Sequence, residues 1–355
     1  MRARMSAAVT GTGSYLPPET VDNFQLYEMG TLRESFDVEQ ARSALRHVEG
    51  AEGLSGPEVF DQWARQVTGI ESRRRIPTDS DMTTEDMCAQ AGLAALEAAG
   101  LGADEIDQVY VATVSPSDDV PNVACTVARK IGNPRLGGYG INAACAGFVY
   151  GIGAGWSAIV SGMADRVLVI SGDALTRLVN YTDVRTAAVF ADGAGAAVLE
   201  RCEGDRGVLG PPAASGLFAR DPLYLVGQSW RRDDDRIPIL HMEGGPRILR
   251  NAIIKMAEVA EQALENAGLS WADVDFVIPH QANMRITRGL EKQLELPKGQ
   301  VVHNIARYGN MSASTVGVAL DEVVRGKHGP VPDPATIVLT AIGGGYTMAA
   351  AVVRV

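Results

Sequence analysis

The chain has 355 residues, 46% of them apolar and 21% charged, with 39 Gly and 17 Pro. Such proportions suit a large globular protein with room for two domains, and they exclude disordered, collagen-like and low-complexity classes. The net charge is −11 and the basic residues are scattered, which excludes the concentrated basic face of a nucleic-acid binder.

Along the chain, the start Met1-Arg-Ala-Arg-Met-Ser-Ala-Ala-Val-Thr-Gly11 lacks the apolar run of a secretory signal. Residues 24–62 are irregular, with a helical middle near 38–48, and read as an insertion or cap. Next comes Ala95-Leu-Glu-Ala-Ala-Gly-Leu101, then an acidic turn to Asp107 and the apolar run Val109-Tyr-Val-Ala-Thr113. This predicts a helix stopped by Gly100, a short turn and a buried strand. Nothing between Arg135 and Asp165 is charged, but its Gly, Ala and Ser content predicts the buried centre of a large protein, not a membrane span. Residues 201–245 carry little periodicity and are expected to be a connecting excursion between two halves.

The second half repeats the first. Ala263-Leu-Glu-Asn-Ala-Gly-Leu269 leads through an acidic turn to Asp275 and the run Phe276-Val-Ile-Pro279. Ala95 maps to Ala263 and Asp107 to Asp275, a constant offset of 168. Leu249, Ile253, Met256, Ala260, Ala263 and Ala267 predict an amphipathic helix before this turn. Both halves also end alike, in glycines followed by a small-residue strand at Asp192-Gly-Ala-Gly and at Gly345-Tyr-Thr-Met. A unit this long is a duplicated α/β domain, with helices packed on mostly parallel sheets. The expected division is 1–200, a connection over 201–245, and 246–355.

Four cysteines, Cys88, Cys125, Cys145 and Cys202, form neither a CxxC pair nor a disulfide framework, so a reducing, cytoplasmic setting is expected. Cys88 and Cys202 read as structural, and Cys125 opens a helix with no further chemistry around it. Cys145 differs. The lead Leu136-Gly-Gly-Tyr-Gly-Ile141 and Asn142-Ala-Ala place it at a strand-to-helix turn, where the helix N-terminus favours a thiolate. The repeat offset carries Cys145 to about position 313, where Arg307-Tyr-Gly-Asn310-Met-Ser makes another glycine turn into a small-residue helix. A pseudo-twofold between the halves would bring Cys145 and Asn310 together. His280 ends the second copy's strand, at the sheet end where α/β proteins bind ligands.

The chain resembles the β-ketoacyl-acyl-carrier-protein synthase III group of thiolase-fold condensing enzymes. The likeness runs nearly end to end, through Gly11-Thr-Gly-Ser-Tyr-Leu-Pro17, Thr68-Gly-Ile-Glu-Ser-Arg73, Ala144-Cys-Ala-Gly-Phe148, Phe190-Ala-Asp-Gly-Ala-Gly-Ala-Ala197, Pro279-His-Gln-Ala-Asn283, Gly309-Asn-Met-Ser-Ala313 and Gly343-Gly-Gly-Tyr346. It implies a thiolase-like fold: two pseudo-twofold-related α/β halves with mixed five-stranded sheets and helices in layers. Cys145 would take an acyl group from a thioester, with the amides of Cys145 and Gly345 as the oxyanion hole. His280 and Asn310 would donate hydrogen bonds to the oxygen of a malonyl thioester while it loses carbon dioxide. The carbanion then attacks acyl-Cys145.

No metal or redox cofactor is implied; coenzyme A or acyl-carrier-protein thioesters are substrates. Thiolases use a second C-terminal cysteine, absent after Cys202, and elongating synthases present a second histidine where Asn310 stands. Plant-type polyketide synthases carry a GFGPG-like turn, against Ile342-Gly-Gly-Gly-Tyr here. Trp63 resembles the family's stacking residue on the coenzyme A adenine. The arginines expected beside that adenine are Val67 and Val184, so a pathway-specific enzyme fed by a carrier protein is expected.

Arg247, Arg250 and Arg285 resemble carrier-docking positions, Ile342 an acyl-pocket position, and the loop near Val120-Pro121 one that reaches the acyl pocket of the other subunit. The resemblance also implies a homodimer, an acyl-carrier-protein partner, and neither nucleic acid nor membrane. A reading of another class stays open: transfer of the acyl group from Cys145 to an oxygen or nitrogen acceptor, without decarboxylation.

Overall fold

Each copy of the repeat folds as its residues direct. Helix Thr84–Ala99 is capped by the Thr83 side chain, which accepts from the amide of Asp86. Gly100 stops it with φ 70, and the Leu101 amide turns back to the carbonyl of Leu96. Helix Gly245–Ala267 ends in the same way, with Gly268 at φ 71 and Leu269 bonded back to Leu264. A 3-10 turn and a strand follow each: Ala103–Glu105 then Gln108–Ala112, and Trp271–Asp273 then Phe276–Pro279. The computed structural model describes residues 5–219, 223–225, 240–242 and 245–355.

The first sheet runs Met5–Tyr15, Asp192–Glu203, Arg166–Ala174, Gln108–Ala112, Gly137–Ile141 in spatial order. Its first two pairings are antiparallel and its last two parallel. The second sheet pairs Phe276–Pro279 in parallel with Thr336–Gly343, which pairs antiparallel with Gly345–Arg354. Both sheets are mixed and five-stranded, as expected of the thiolase-like fold. The last two strands of the second sheet are Gly207–Val208 and Ala213–Ala219. They come from the segment expected merely to connect the halves; being short and rich in Gly and Ala, they carry no alternation to read. Residues 226–239 of that segment lie outside the described residues.

Helices Gly147–Val160 and Ser314–Val324 lie between the sheets. Their Phe148, Ile152, Val316 and Leu320 share one core with Val169 of the first sheet and Leu339 of the second. Helices Thr84–Ala99 and Val123–Lys130 cover the outer face of the first sheet. Gly245–Ala267 and Met284–Gln293 cover that of the second. The result is five layers, alternately helical and sheet. The central layer is crowded: a Cβ on Gly195 would stand 2.6 Å from the carbonyl carbon of Gly317. The uncharged stretch supplies the edge strand Gly137–Ile141 of the first sheet and, in this central layer, the 14-residue helix Gly147–Val160. Among the described residues no helix is long and apolar enough to cross a membrane.

The 24–62 segment is a helical cap with its own core. Val38–Ala44 and Gly56–Thr68 are its main helices, and Tyr27, Phe36, Phe60 and Trp63 form its aromatic centre. It packs on Ala187 and Ala188 beside the short helix Val184–Ala187.

Candidate functional site

Cys145 sits in the 3-10 turn Ala144–Ala146, directly ahead of helix Gly147–Val160. Ala144 takes φ 47, a left-handed conformation that a non-glycine residue adopts only when its surroundings hold it there. Those surroundings are the glycine turn: a Cβ on Gly343 would lie 2.7 Å from the Ala143 carbonyl, and the Thr347 hydroxyl donates to that same carbonyl at 2.6 Å. The second half repeats the strain at Ser312, φ 52, which is Ala144 displaced by 168.

The helix N-terminus favours the thiolate, and burial opposes it. Burial pushes the Cys145 thiol up to about 12, against a favourable contact from the Ser312 side chain. That rise corresponds to roughly 4 kcal/mol, while a helix N-terminus contributes at most about 2 kcal/mol. Burial therefore wins, and Cys145 rests as a thiol.

Asn310 is placed by a stitch between the halves. Its amide donates to the Val189 carbonyl at 3.0 Å, and its own carbonyl accepts from Ala191 at 2.8 Å. The preceding Gly309, at φ 74, comes within 2.9 Å of the Ala191 side chain when given a Cβ, so the glycine is sterically required. The Ser312 amide donates to Asn310 Oδ1 at 2.9 Å, which leaves Nδ2 as the free donor of the side chain.

His280 follows strand Phe276–Pro279 and is 1% exposed. Burial pushes its imidazole down to about 3, so it is neutral at physiological pH. Its Nδ1 lies 2.7 Å from Thr315 Oγ1, an oxygen that also accepts from the Gln281 amide and faces the Ser312 carbonyl at 2.9 Å.

Cys145, His280 and Asn310 all line one cavity of about 580 Å³. Its walls are chiefly apolar, with Val189, Ala252, Ile286 and Ile342 among them. Trp63, Val67, Val184, Arg185 and Arg285 also line it. Trp63 packs against Phe36 of the cap at 5.4 Å between ring centroids. The Val67 carbonyl accepts from Asn283 Nδ2 at 3.0 Å, so it is tied to the loop after His280. Arg185 pairs with Asp183 at 2.9 Å. Gly345, at φ 132, stands between two lining residues, Gly344 and Tyr346.

Arg247, Arg250 and Arg285 are exposed. Val120 is 87% exposed on the surface, outside its own chain's cavity. Cys88 is fully buried and Cys125 exposed, each away from the cavity lining. Among the described residues no group of three His, Cys, Asp or Glu is placed to hold a metal ion.

Three residues were not legible as part of this site: Asp173, Ser312 and Thr315. Asp173 ends a strand of the first sheet and is fully buried. Its Oδ1 accepts from Thr113 Oγ1, the Val114 amide and Ser115 Oγ at 2.8–3.0 Å, and burial pushes its carboxyl up to about 6. The repeat offset, which takes the strained Ala144 onto Ser312, was the one signal that could have drawn attention to that position.

This geometry agrees with the chain's relatives. The profile described as 3-oxoacyl-[acyl-carrier-protein] synthase III matches residues 139–212, and that of its C-terminal part residues 264–355. A β-ketoacyl-[acyl-carrier-protein] synthase III of Desulfitobacterium hafniense is 35% identical, over 99% of this chain and 98% of its own length. Its counterpart in Dinoroseobacter shibae is 36% identical over 98% of each. The crystal structure of the Aquifex aeolicus 3-oxoacyl-[acyl-carrier-protein] synthase III superposes with a TM-score of 0.83 at 32% identity, covering 98% of this chain and 100% of that one. The priming β-ketosynthase of the R1128 polyketide pathway also gives 0.83, at 28% identity, covering 100% and 98%. With full-length relatives above 30% identity and the same two-sheet architecture, the chain belongs to the β-ketoacyl-[acyl-carrier-protein] synthase III family.

Proposed function

We propose that this chain condenses an acyl group held on Cys145 with a malonyl thioester, releasing carbon dioxide and giving a β-ketoacyl product. The observation that carries this reading is the convergence of Cys145, His280 and Asn310 on one cavity. Cys145 attacks the acyl thioester, and the amides of Cys145 and Gly345 receive the oxyanion. Malonate then enters, and His280 and Asn310 face its thioester oxygen. Asn310 Nδ2, oriented by the Ser312 amide, supports the developing enolate. Simple acyl transfer to an oxygen or nitrogen acceptor has no use for that donor.

The malonyl carrier in this reading is an acyl carrier protein, docking at Arg247, Arg250 and Arg285 beside the cavity. A carrier protein is also favoured as acyl donor, because Val67 and Val184 stand where arginines would meet the adenine of coenzyme A, and Arg185 beside Val184 is paired with Asp183. Trp63 remains to stack on the adenine. The working form is a homodimer, joined at the edge strand Gly137–Ile141, whose Tyr139 is 47% exposed. The exposed Val120 reaches the partner's acyl pocket, and Ile342 closes the pocket from within.

The nucleophile is tested by intact-mass measurement after exposure to acyl-coenzyme A and acyl-carrier-protein donors. Wild-type protein and Cys125→Ala gain one acyl mass, and Cys145→Ala gains none. An adduct persisting in Cys145→Ala removes the assignment.

A further inference from the structure

A buried carboxylate with an unfilled oxygen stands behind the nucleophile. Asp173 Oδ1 takes three hydrogen bonds, whereas Oδ2, also buried, has none among the described residues. An unpartnered buried carboxylate oxygen is costly and needs a reason. On one side of it is Ser312, whose hydroxyl makes a favourable contact with both the Asp173 carboxyl and the Cys145 thiol. Neither contact is a fully formed hydrogen bond in the resting enzyme, and the Asp173 charge is felt at Cys145. Ser312 is held in its left-handed turn with its amide on Asn310 Oδ1. His280 does not explain how the thiol loses its proton, since its imidazole is the weaker base of the two buried groups.

We propose that Asp173 receives the proton of Cys145 through the Ser312 hydroxyl as the sulfur attacks the donor thioester. The inference rests on Cys145 being the nucleophile. The S–H bond breaks and its proton passes to Ser312 Oγ, while the serine's own proton moves to Asp173 Oδ2. The sulfur lone pair forms the new bond to the thioester carbon. The carrier thiolate leaves with the electrons of the old C–S bond and takes a proton from solvent at the cavity mouth. After condensation the Cys145 thiolate is expelled and recovers its proton from Asp173 by the same path, so the cycle closes. Asp173 touches no substrate; it acts only through Ser312.

The test is the pH profile of Cys145 alkylation by iodoacetamide, followed by intact mass with the labelled peptide identified. In wild-type protein the rate should hold down to about pH 6, where Asp173 itself takes up a proton, and fall below it. Asp173→Asn and Ser312→Ala should each slow labelling at pH 7 by about 10²-fold, the low end of what a positioned proton acceptor supplies. The lower limb of the profile should vanish in both. A purely electrostatic role predicts the opposite sign for Asp173→Asn, since removing a negative charge near the thiol favours its ionisation, and a purely structural role slows labelling but leaves the lower limb of the profile in place. Faster or unchanged labelling in Asp173→Asn therefore overturns the proposal, as does an unchanged rate in Ser312→Ala, which decides the matter alone should Asp173→Asn not fold. Wild-type label on a cysteine other than Cys145 removes instead the nucleophile assignment beneath it.

Discussion

Asn310 and His280 occupy one cavity but are held very differently, and their substitutions separate the two half-reactions. Asn310 has one amide hydrogen-bonding group committed to Ser312 and the other turned free, a fixed donor. Asn310→Ala should still acquire an acyl group on Cys145, because that step uses only the sulfur and the oxyanion amides. Malonyl decarboxylation should fall by about 10²–10³-fold, the usual cost of losing one such donor. Release of labelled carbon dioxide from malonyl thioester, set beside the acyl-adduct mass, gives both readings; undiminished release favours simple acyl transfer. The three cavity residues were legible because each ends a recognisable strand or turn at a matching place in the repeat. Asp173, Ser312 and Thr315 were not, since Ser, Thr and Asp are common and their contacts join segments far apart in sequence: Thr113 with Asp173, and Ser312 with Cys145.

At the level of elements, the repeat told most of what the backbone does. The glycine stops at Gly100 and Gly268 and the strands after them were predictable from apolar runs and acidic turns. The strands Gly207–Val208 and Ala213–Ala219 were not, because pairing beside Gly345–Arg354 is decided by the neighbour strand rather than by their own pattern. The central layer depends on the contact of Gly195 with Gly317, one glycine from each half. Gly195→Ala should destabilise by about 1–3 kcal/mol, the scale of overpacking in a closed core, and lower the urea midpoint. A midpoint equal to that of the wild type would mean the layers part easily.

For the whole molecule, charge and assembly set the terms of carrier docking. At −11 the protein repels an acidic carrier at long range, so productive encounter depends on a local basic patch inside a screening length of about 8 Å at physiological salt. Arg250→Glu and Arg285→Glu should slow turnover with carrier-bound malonate several-fold and weaken its salt dependence, as rim charges act chiefly on association rate. Self-acylation by a small thioester, which needs no docking, should be unchanged. Indifference of carrier-dependent turnover to both reversals and to salt would move the docking patch elsewhere. Sedimentation at micromolar concentration should show a dimer, because the Gly137–Ile141 edge offers unpaired backbone and an exposed tyrosine; a monomer contradicts the assembly.

The cavity that gathers the triad is also a medium, and a poor one for anions. Apart from Cys145, His280 and Asn310 its inner wall is chiefly methyl and methylene, and the described cations that line it, Arg185 and Arg285, are exposed at the surface. A malonyl carboxylate drawn inside exchanges its shell of water for alkyl groups and finds no counter-ion on the inner wall among the described residues, a costly transfer for a charged group. Carbon dioxide, neutral and apolar, loses nothing in the same surroundings. The walls thus bias the bond that breaks before any donor acts, by dissolving the leaving fragment better than the group it came from.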